Sequence, residues 1–222
     1  MIRVGMADDQ ALIRTGVTQL LGAEPDIAII GEAADGAQAV ELARAHRPDV
    51  LLMDIRMPGM DGIHATTVIC GDAALAATRV LILTTFEEDE NVAAALRAGA
   101  SGFIGKGADP GEIAHAVRAV HAGDALLSPT ATRSLIRTYL ETAPVPTGRA
   151  VGDPGILTPR EREILILVGR GLSNDEIAAQ LHISAHTAKT HVKRIMAKIG
   201  AHDRAQCVIY AYETLLLSPA EP

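Results

Sequence analysis

Val50-Leu51-Leu52-Met53-Asp54 is a run of four apolar residues that ends on a carboxylate. Alternation would give a strand one wet face. An unbroken run instead marks a strand covered on both faces, as in a parallel sheet between two layers of helices. Val80-Leu81-Ile82-Leu83 repeats the pattern and ends beside Thr84. Outward from these two runs, strand-like segments also occupy Ile2–Ala7, Ile27–Ala33 and Gly102–Ile104. Helical patterns fall between or after them, near Ala11–Leu21, Ala37–Ala45, Ile63–Gly71, Glu88–Ala98 and Pro110–Ala122. This order predicts an α/β fold, a doubly wound five-stranded parallel sheet, over residues 1–125. Sites in such sheets form beyond the carboxyl ends of the strands.

The whole chain has 222 residues, enough for two domains of ordinary size. Nearly half its residues are hydrophobic, yet there is no Trp, with two Phe and three Tyr, so the core must be aliphatic. Cys70 and Cys207 lie far apart, without metal-ligand spacing, and read as reduced thiols. The first nine residues already carry Asp8 and Asp9, which argues against a signal peptide. No apolar run approaches the roughly 20 residues of a membrane span, so a cytoplasmic protein without membrane association is expected.

The net charge of −7 is unevenly spread. Residues 1–127 carry 9 Lys/Arg against 18 Asp/Glu, whereas residues 156–217 carry 8 against 6. The acidity belongs to the first part alone. Between the two, residues 126–155 read as a linker. Ser128-Pro129 could open a helix over Thr130–Leu140, and Pro144–Gly155 is dense in turn formers. Residues 156–217 predict a small all-α domain of four short helices. Thr158-Pro159-Arg160-Glu161 has a capping-box pattern with Pro at the first helical position. Asn174 is a candidate cap for the second helix, and His182-Ile183 a tight turn. Ser184 is a candidate cap for a third helix closed by Gly200, and Asp203–Leu215 forms the fourth.

Asp8 and Asp9 follow the first strand, Asp54 the third, Thr84 the fourth and Lys106 the fifth. A parallel sheet brings these ends side by side. Clustered carboxylates repel one another, and a hard divalent cation such as Mg²⁺ relieves that repulsion. With a hydroxyl and an ammonium alongside, the set suits a phosphoryl group carried by Asp54 and held by the metal, Thr84 and Lys106. These residues, with Met53–Gly62 and Ala98–Lys106, closely resemble the receiver domain of two-component response regulators, a flavodoxin-like fold. The resemblance implies that a sensor histidine kinase phosphorylates Asp54. It further implies that Asp9, Asp54 and the Arg56 carbonyl hold Mg²⁺ with Asp8 assisting, and that Thr84 and Phe103 report the modification. Gly107 stands where many receivers have proline after the lysine, so a looser Lys106 loop is expected. An aspartyl-phosphate phosphatase typically needs a second Asp two residues after the nucleophile. Here that position is Arg56, which cannot take up a proton at neutral pH. No enzymatic activity is therefore expected beyond the receiver's own phosphorylation and dephosphorylation.

The third helix of the second domain, Ala185–Ile199, holds Lys189, Lys193, Arg194 and Lys198 and no acidic residue. Lys189, Lys193 and Lys198 fall on roughly one broad face, opposite Val192, Ile195 and Ile199. A basic helix after a short helix and tight turn has the form of a helix-turn-helix reading the major groove. Leu157–Glu163, Gly171–Asn174, Glu176–Ala178 and Thr187–Val192 resemble the LuxR-type helix-turn-helix, and with the receiver they define the NarL/FixJ class. The resemblance implies that Lys189, Thr190 and Lys193 face base edges, while Thr187, His191, Arg194 and Asn174 contact phosphates or position the helix. Ala188 replaces the Val usual there, so weaker inner packing is expected. The class further implies a transcriptional regulator that forms a homodimer on phosphorylation and binds paired half-sites in promoter DNA.

Overall fold

A computed structural model describes residues 1–84, 94–123, 154–201, 203–214 and 216–217. The chain divides into two compact units, Met1–Leu126 and Leu127–Pro222. The expected helix over Thr130–Leu140 and most of the linker lie outside the described residues, as does much of the expected Glu88–Ala98 helix, of which residues 94–97 are helical.

The first unit is built on five parallel strands, β1 (Ile2–Ala7), β2 (Ile27–Ala33), β3 (Val50–Met53), β4 (Arg79–Thr84) and β5 (Gly102–Gly105), in the spatial order β2-β1-β3-β4-β5. Its helices are α1 (Ala11–Gly22), α2 (Gly36–His46), α3 (Gly62–Gly71) and α4 (Pro110–His121). All four β3 residues are completely buried, as an apolar run without alternation requires. On one face Val4, Met6, Leu52, Leu81 and Leu83 pack with Val17 and Leu21 of α1 and with Ile113, Val117 and Val120 of α4. On the other, Leu42 of α2 lies so close to Gly5 that an added Cβ would stand 2.8 Å from its Cδ2.

Register decides where the strand ends meet. Ala7 pairs with Met53, Met53 with Ile82, and Thr84 with Gly105. Asp8 and Asp54 therefore leave neighbouring strands at the same level, and Lys106 leaves β5 one residue beyond Thr84's partner. The Asp54 N–H donates to the Ala7 carbonyl at 2.8 Å, extending the ladder to the acidic residue itself.

The segment that returns from Asp54 to α3 is held by close backbone contacts. Gly62 N–H donates to the Ile55 carbonyl at 2.8 Å. A Cβ on Gly62 would fall 1.9 Å from the Asp54 carbonyl oxygen, so no side chain fits there. The Asp61 side chain caps α3 by accepting from His64 N–H at 2.7 Å.

The second unit contains α5 (Pro159–Gly169), α6 (Asn174–Leu181), α7 (Ala185–Ile199) and α8 (Arg204–Glu213). The capping box at Thr158 and Glu161 forms as expected, and Ser184 caps α7 through Thr187 N–H. One cap differs. Ser173, not Asn174, is the N-cap of α6, closing a second capping box with Glu176. The reason is spacing: Ser173 has the Glu three residues on, whereas Asn174 is followed there by Ile177. Asp203 caps α8, which ends two residues before the expected Leu215. Ile164, Leu165, Ile177, Ala188, Ile195, Cys207 and Val208 form the interior of this unit.

Replacing Gly62 with Ala should destabilise the chain by about 1–3 kcal/mol, the usual cost of overpacking. Urea denaturation should show a lower midpoint at unchanged slope.

Candidate functional site

In the first unit Asp8 is completely buried, Asp54 is 4% exposed, and Asp9 is exposed. One carboxylate oxygen from each lies within 4.8 Å of the others. Lys106 Nζ reaches into this group, 2.6 Å from Asp8 Oδ2 and 2.9 Å from Asp54 Oδ2. Asp54 Oδ1 accepts from Ile55 N–H at 2.9 Å, and Asp8 Oδ1 from Gln10 N–H at 2.9 Å. Asp8 Oδ2 is buried and has the Lys106 ammonium as its close partner.

Burial pushes the Asp54 carboxyl above its ordinary value; the Lys106 ammonium opposes this, and the charge on Asp8 adds to it. Burial alone would lower the Lys106 ammonium. Its hydrogen bonds and attraction to Asp8 and Asp54 outweigh that and hold it above the usual lysine value. Three hard oxygen donors converging beside one ammonium fit a small divalent ion, and the acidic pocket can hold a metal.

The other expected residues lie on or just after the strands β3, β4 and β5. Arg56 is exposed, two residues past Asp54. Phe103 is half-buried in β5, paired in register with Ile82. Thr84 ends β4, but its hydroxyl lies outside the described residues.

In the second unit His182 ends α6 in the left-handed conformation (φ 55°), which turns the chain sharply into α7. Ala188, Val192 and Ile195 are buried, while Lys193 and Arg194 are exposed on the other side. Lys189, Thr190, Thr187 and His191 are half-buried. Several polar groups on this helix are already engaged. The Thr190 hydroxyl donates to the His186 carbonyl at 2.9 Å, and the Thr187 and Ser184 hydroxyls lie 2.8 Å apart. Asn174 Oδ1 accepts from Arg204 Nη1 at 3.0 Å, and Arg204 also donates to the Leu172 carbonyl. Lys198 corrects the expected basic face: its Nζ lies 2.6 Å from Glu161 Oε2, turned towards α5.

Glu161 is the buried partner in that contact, 5% exposed. The Lys198 ammonium, with the Thr158 N–H, brings its carboxyl down to about 2. The capping box marked Glu161 in the sequence. Its partner 37 residues later could not be read there, because only the crossing of α5 and α7 joins them.

A buried acidic pocket at the carboxyl ends of a parallel sheet, followed by a helix-turn-helix unit, is the arrangement of a response regulator of transcription. The comparisons agree. Residues 4–118 match the response regulator receiver domain, and residues 155–211 match the bacterial regulatory proteins of the luxR family. The transcriptional regulatory protein LiaR of Bacillus subtilis is 40% identical over 98% of this chain and 100% of its own length. The response regulator protein VraR of Staphylococcus aureus is 38% identical over 97% and 99%. The crystal structure of the response regulator ChrA, from a heme-sensing two-component system, aligns with a TM-score of 0.51 at 33% identity, covering 97% of this chain and 98% of that one. The chain belongs to the response regulator family with a LuxR-type helix-turn-helix, and it is a phosphorylation-dependent transcriptional regulator. Such a protein has a kinase partner and binds DNA. Among the described residues no helix is long and apolar enough to cross a membrane.

Glu161 titrates at about 2 when folded against 4.5 for a free carboxyl, so its contribution is complete above about pH 4.5 and lost as pH falls towards 2. Thermal melts of the chain should show this acid-side decline, and Lys198→Met should flatten it.

Proposed function

We propose that Asp54 is the phosphoacceptor, that Mg²⁺ is the metal of the acidic pocket, and that phosphorylation drives homodimerisation on paired promoter half-sites. The single observation that carries this reading is the contact of one buried ammonium, Lys106, with both Asp8 and Asp54. Asp8, Asp9, Asp54 and the Arg56 carbonyl would hold the ion. When bound, Mg²⁺ neutralises charge on the incoming phosphoryl oxygens.

In the reaction an Asp54 carboxylate oxygen attacks the phosphorus of the kinase phosphohistidine. The O–P bond forms as the N–P bond breaks, and the imidazole keeps the electron pair and takes a proton. Ile55 N–H holds Asp54 Oδ1, which leaves Oδ2 as the attacking atom. Oδ2 is also the oxygen that Lys106 touches, so the ammonium must move from the carboxylate to the new phosphoryl oxygens. Thr84 and Phe103 then respond, shifting the surface around β4 and β5. The chain's own catalysis is confined to this phosphorylation and its reversal, and the protein works in the cytoplasm.

In the second unit Lys189, Thr190 and Lys193 read base edges, while Thr187, His191, Arg194 and Asn174 bind phosphates or position the helix. The exposure of Lys193 and Arg194 supports this face. The bonds that Asn174 and Thr190 already make favour a positioning part for the first and an acceptor part for the second.

Incubation with acetyl phosphate and Mg²⁺ should add one phosphoryl group by intact mass and increase oligomer size. Asp54→Asn should abolish both changes, and dimerisation that persists in that variant refutes the switch. Lys189→Ala should weaken operator binding about tenfold, as loss of one good base contact does, with phosphorylation unchanged. Gel-shift titration at fixed salt measures it, and wild-type affinity would move the reading face elsewhere.

A further inference from the structure

Arg14 is absent from every role described so far, yet it touches the acidic site from the first turn of α1. Its Nη1 donates to the Asp8 backbone carbonyl at 2.5 Å, and its side chain is 17% exposed. Its Nε lies 3.5 Å from Glu32 Oε2 on β2, and Thr18 Oγ1 donates to Glu32 Oε1 at 3.3 Å.

The carbonyl that Arg14 holds belongs to the peptide joining Asp8 to Asp9. That plane is rigid, so its orientation sets the direction in which Asp9 leaves relative to Asp8. The rest of Asp8 is already tied. Its N–H donates to the Ala33 carbonyl at 3.1 Å, Oδ1 accepts from Gln10 N–H, and Oδ2 faces Lys106. Asp8 is completely buried, so its carbonyl would lose its side-chain donor if Arg14 were removed. Rotation of the peptide to find another donor would swing Asp9, the exposed carboxylate, out of the cluster. Glu32 balances the guanidinium charge, so Arg14 acts on the cluster through geometry more than through its own field.

We propose that Arg14 is a positioning residue for the acidic pocket, setting the angle between the Asp8 and Asp9 carboxylates and so the affinity for the divalent ion. The inference rests on the reading of that pocket as a metal-holding phosphoacceptor site. Arg14 touches neither the phosphoryl group nor the ion.

The test uses the full chain, with Mn²⁺ as probe and free Mn²⁺ followed by electron paramagnetic resonance, at a temperature where circular dichroism shows every variant folded. Arg14→Ala should weaken Mn²⁺ binding about tenfold, the lower end of the range for partners of metal ligands. Arg14→Lys, which keeps a cationic donor on a long stem, should restore most of it. In acetyl phosphate assays of Arg14→Ala the half-saturating Mg²⁺ concentration should rise by a similar factor, while the rate at saturating Mg²⁺ stays near wild type. Unchanged Mn²⁺ affinity in Arg14→Ala overturns the proposal. So does a loss that Arg14→Lys fails to restore, or one that appears only in the saturated rate. A wild-type chain that binds no Mn²⁺ would instead overturn the metal reading beneath it, a failure seen before any variant is made.

Discussion

Two buried carboxylates share one buried ammonium in this protein, and much of the first unit serves that contact. Asp8 and Asp54 repel each other in a medium that screens poorly, and removing each from water costs several kcal/mol. Lys106 offsets part of this at 2.6 and 2.9 Å. The remaining charge leaves the pocket short of positive charge, which is what a divalent ion and a phosphoryl transfer require. Burial and the charge on Asp8 push the Asp54 carboxyl up, and the ammonium opposes them. The ammonium contacts one oxygen of each carboxylate, Oδ2 in both cases, while Oδ1 of each accepts a backbone N–H.

The surrounding fold limits how that contact can relax. Parallel register puts Asp8 and Asp54 level, and the backbone bond from Asp54 N–H to Ala7 O keeps them so. Gly62 seats α3 directly on the Asp54 carbonyl, where no Cβ can enter. Behind them, β3 is wholly buried, and its four side chains contribute about 1.5–3 kcal/mol each. The acidic site thus stands at the end of a fully buried strand. The second unit follows a parallel plan: two capping boxes and two further caps satisfy the helix starts, and Glu161 with Lys198 ties the first of its helices to the third.

The strands were legible because burial on both faces leaves an unbroken apolar run, as in Val50–Met53 and Val80–Leu83. Helix starts were legible where a cap and its Glu stand three residues apart, as at Thr158 and Glu161. Asn174 misled because it is as good a cap residue as Ser173; the Glu at 176 decides between them. Lys198 misled for a different reason. Helical periodicity shows which residues share a face, but not that an acidic side chain from another helix already occupies one edge of it. The small Ala188, expected to weaken the inner packing of α7, sits fully buried there.

The sequence alone determined the class of fold, the succession of a βα sheet and a helical unit, and the acidic, hydroxyl and basic residues placed at strand ends. Those follow from local rules: burial period, capping and the chemistry of side chains. Only the tertiary structure decided that Lys106 reaches both Asp8 and Asp54, that Arg14 holds the peptide between Asp8 and Asp9, and that Lys198 belongs to Glu161. Each of these joins residues from separate elements, and the meeting depends on strand register or helix crossing. A linear pattern carries neither, because both are set by how whole elements pack.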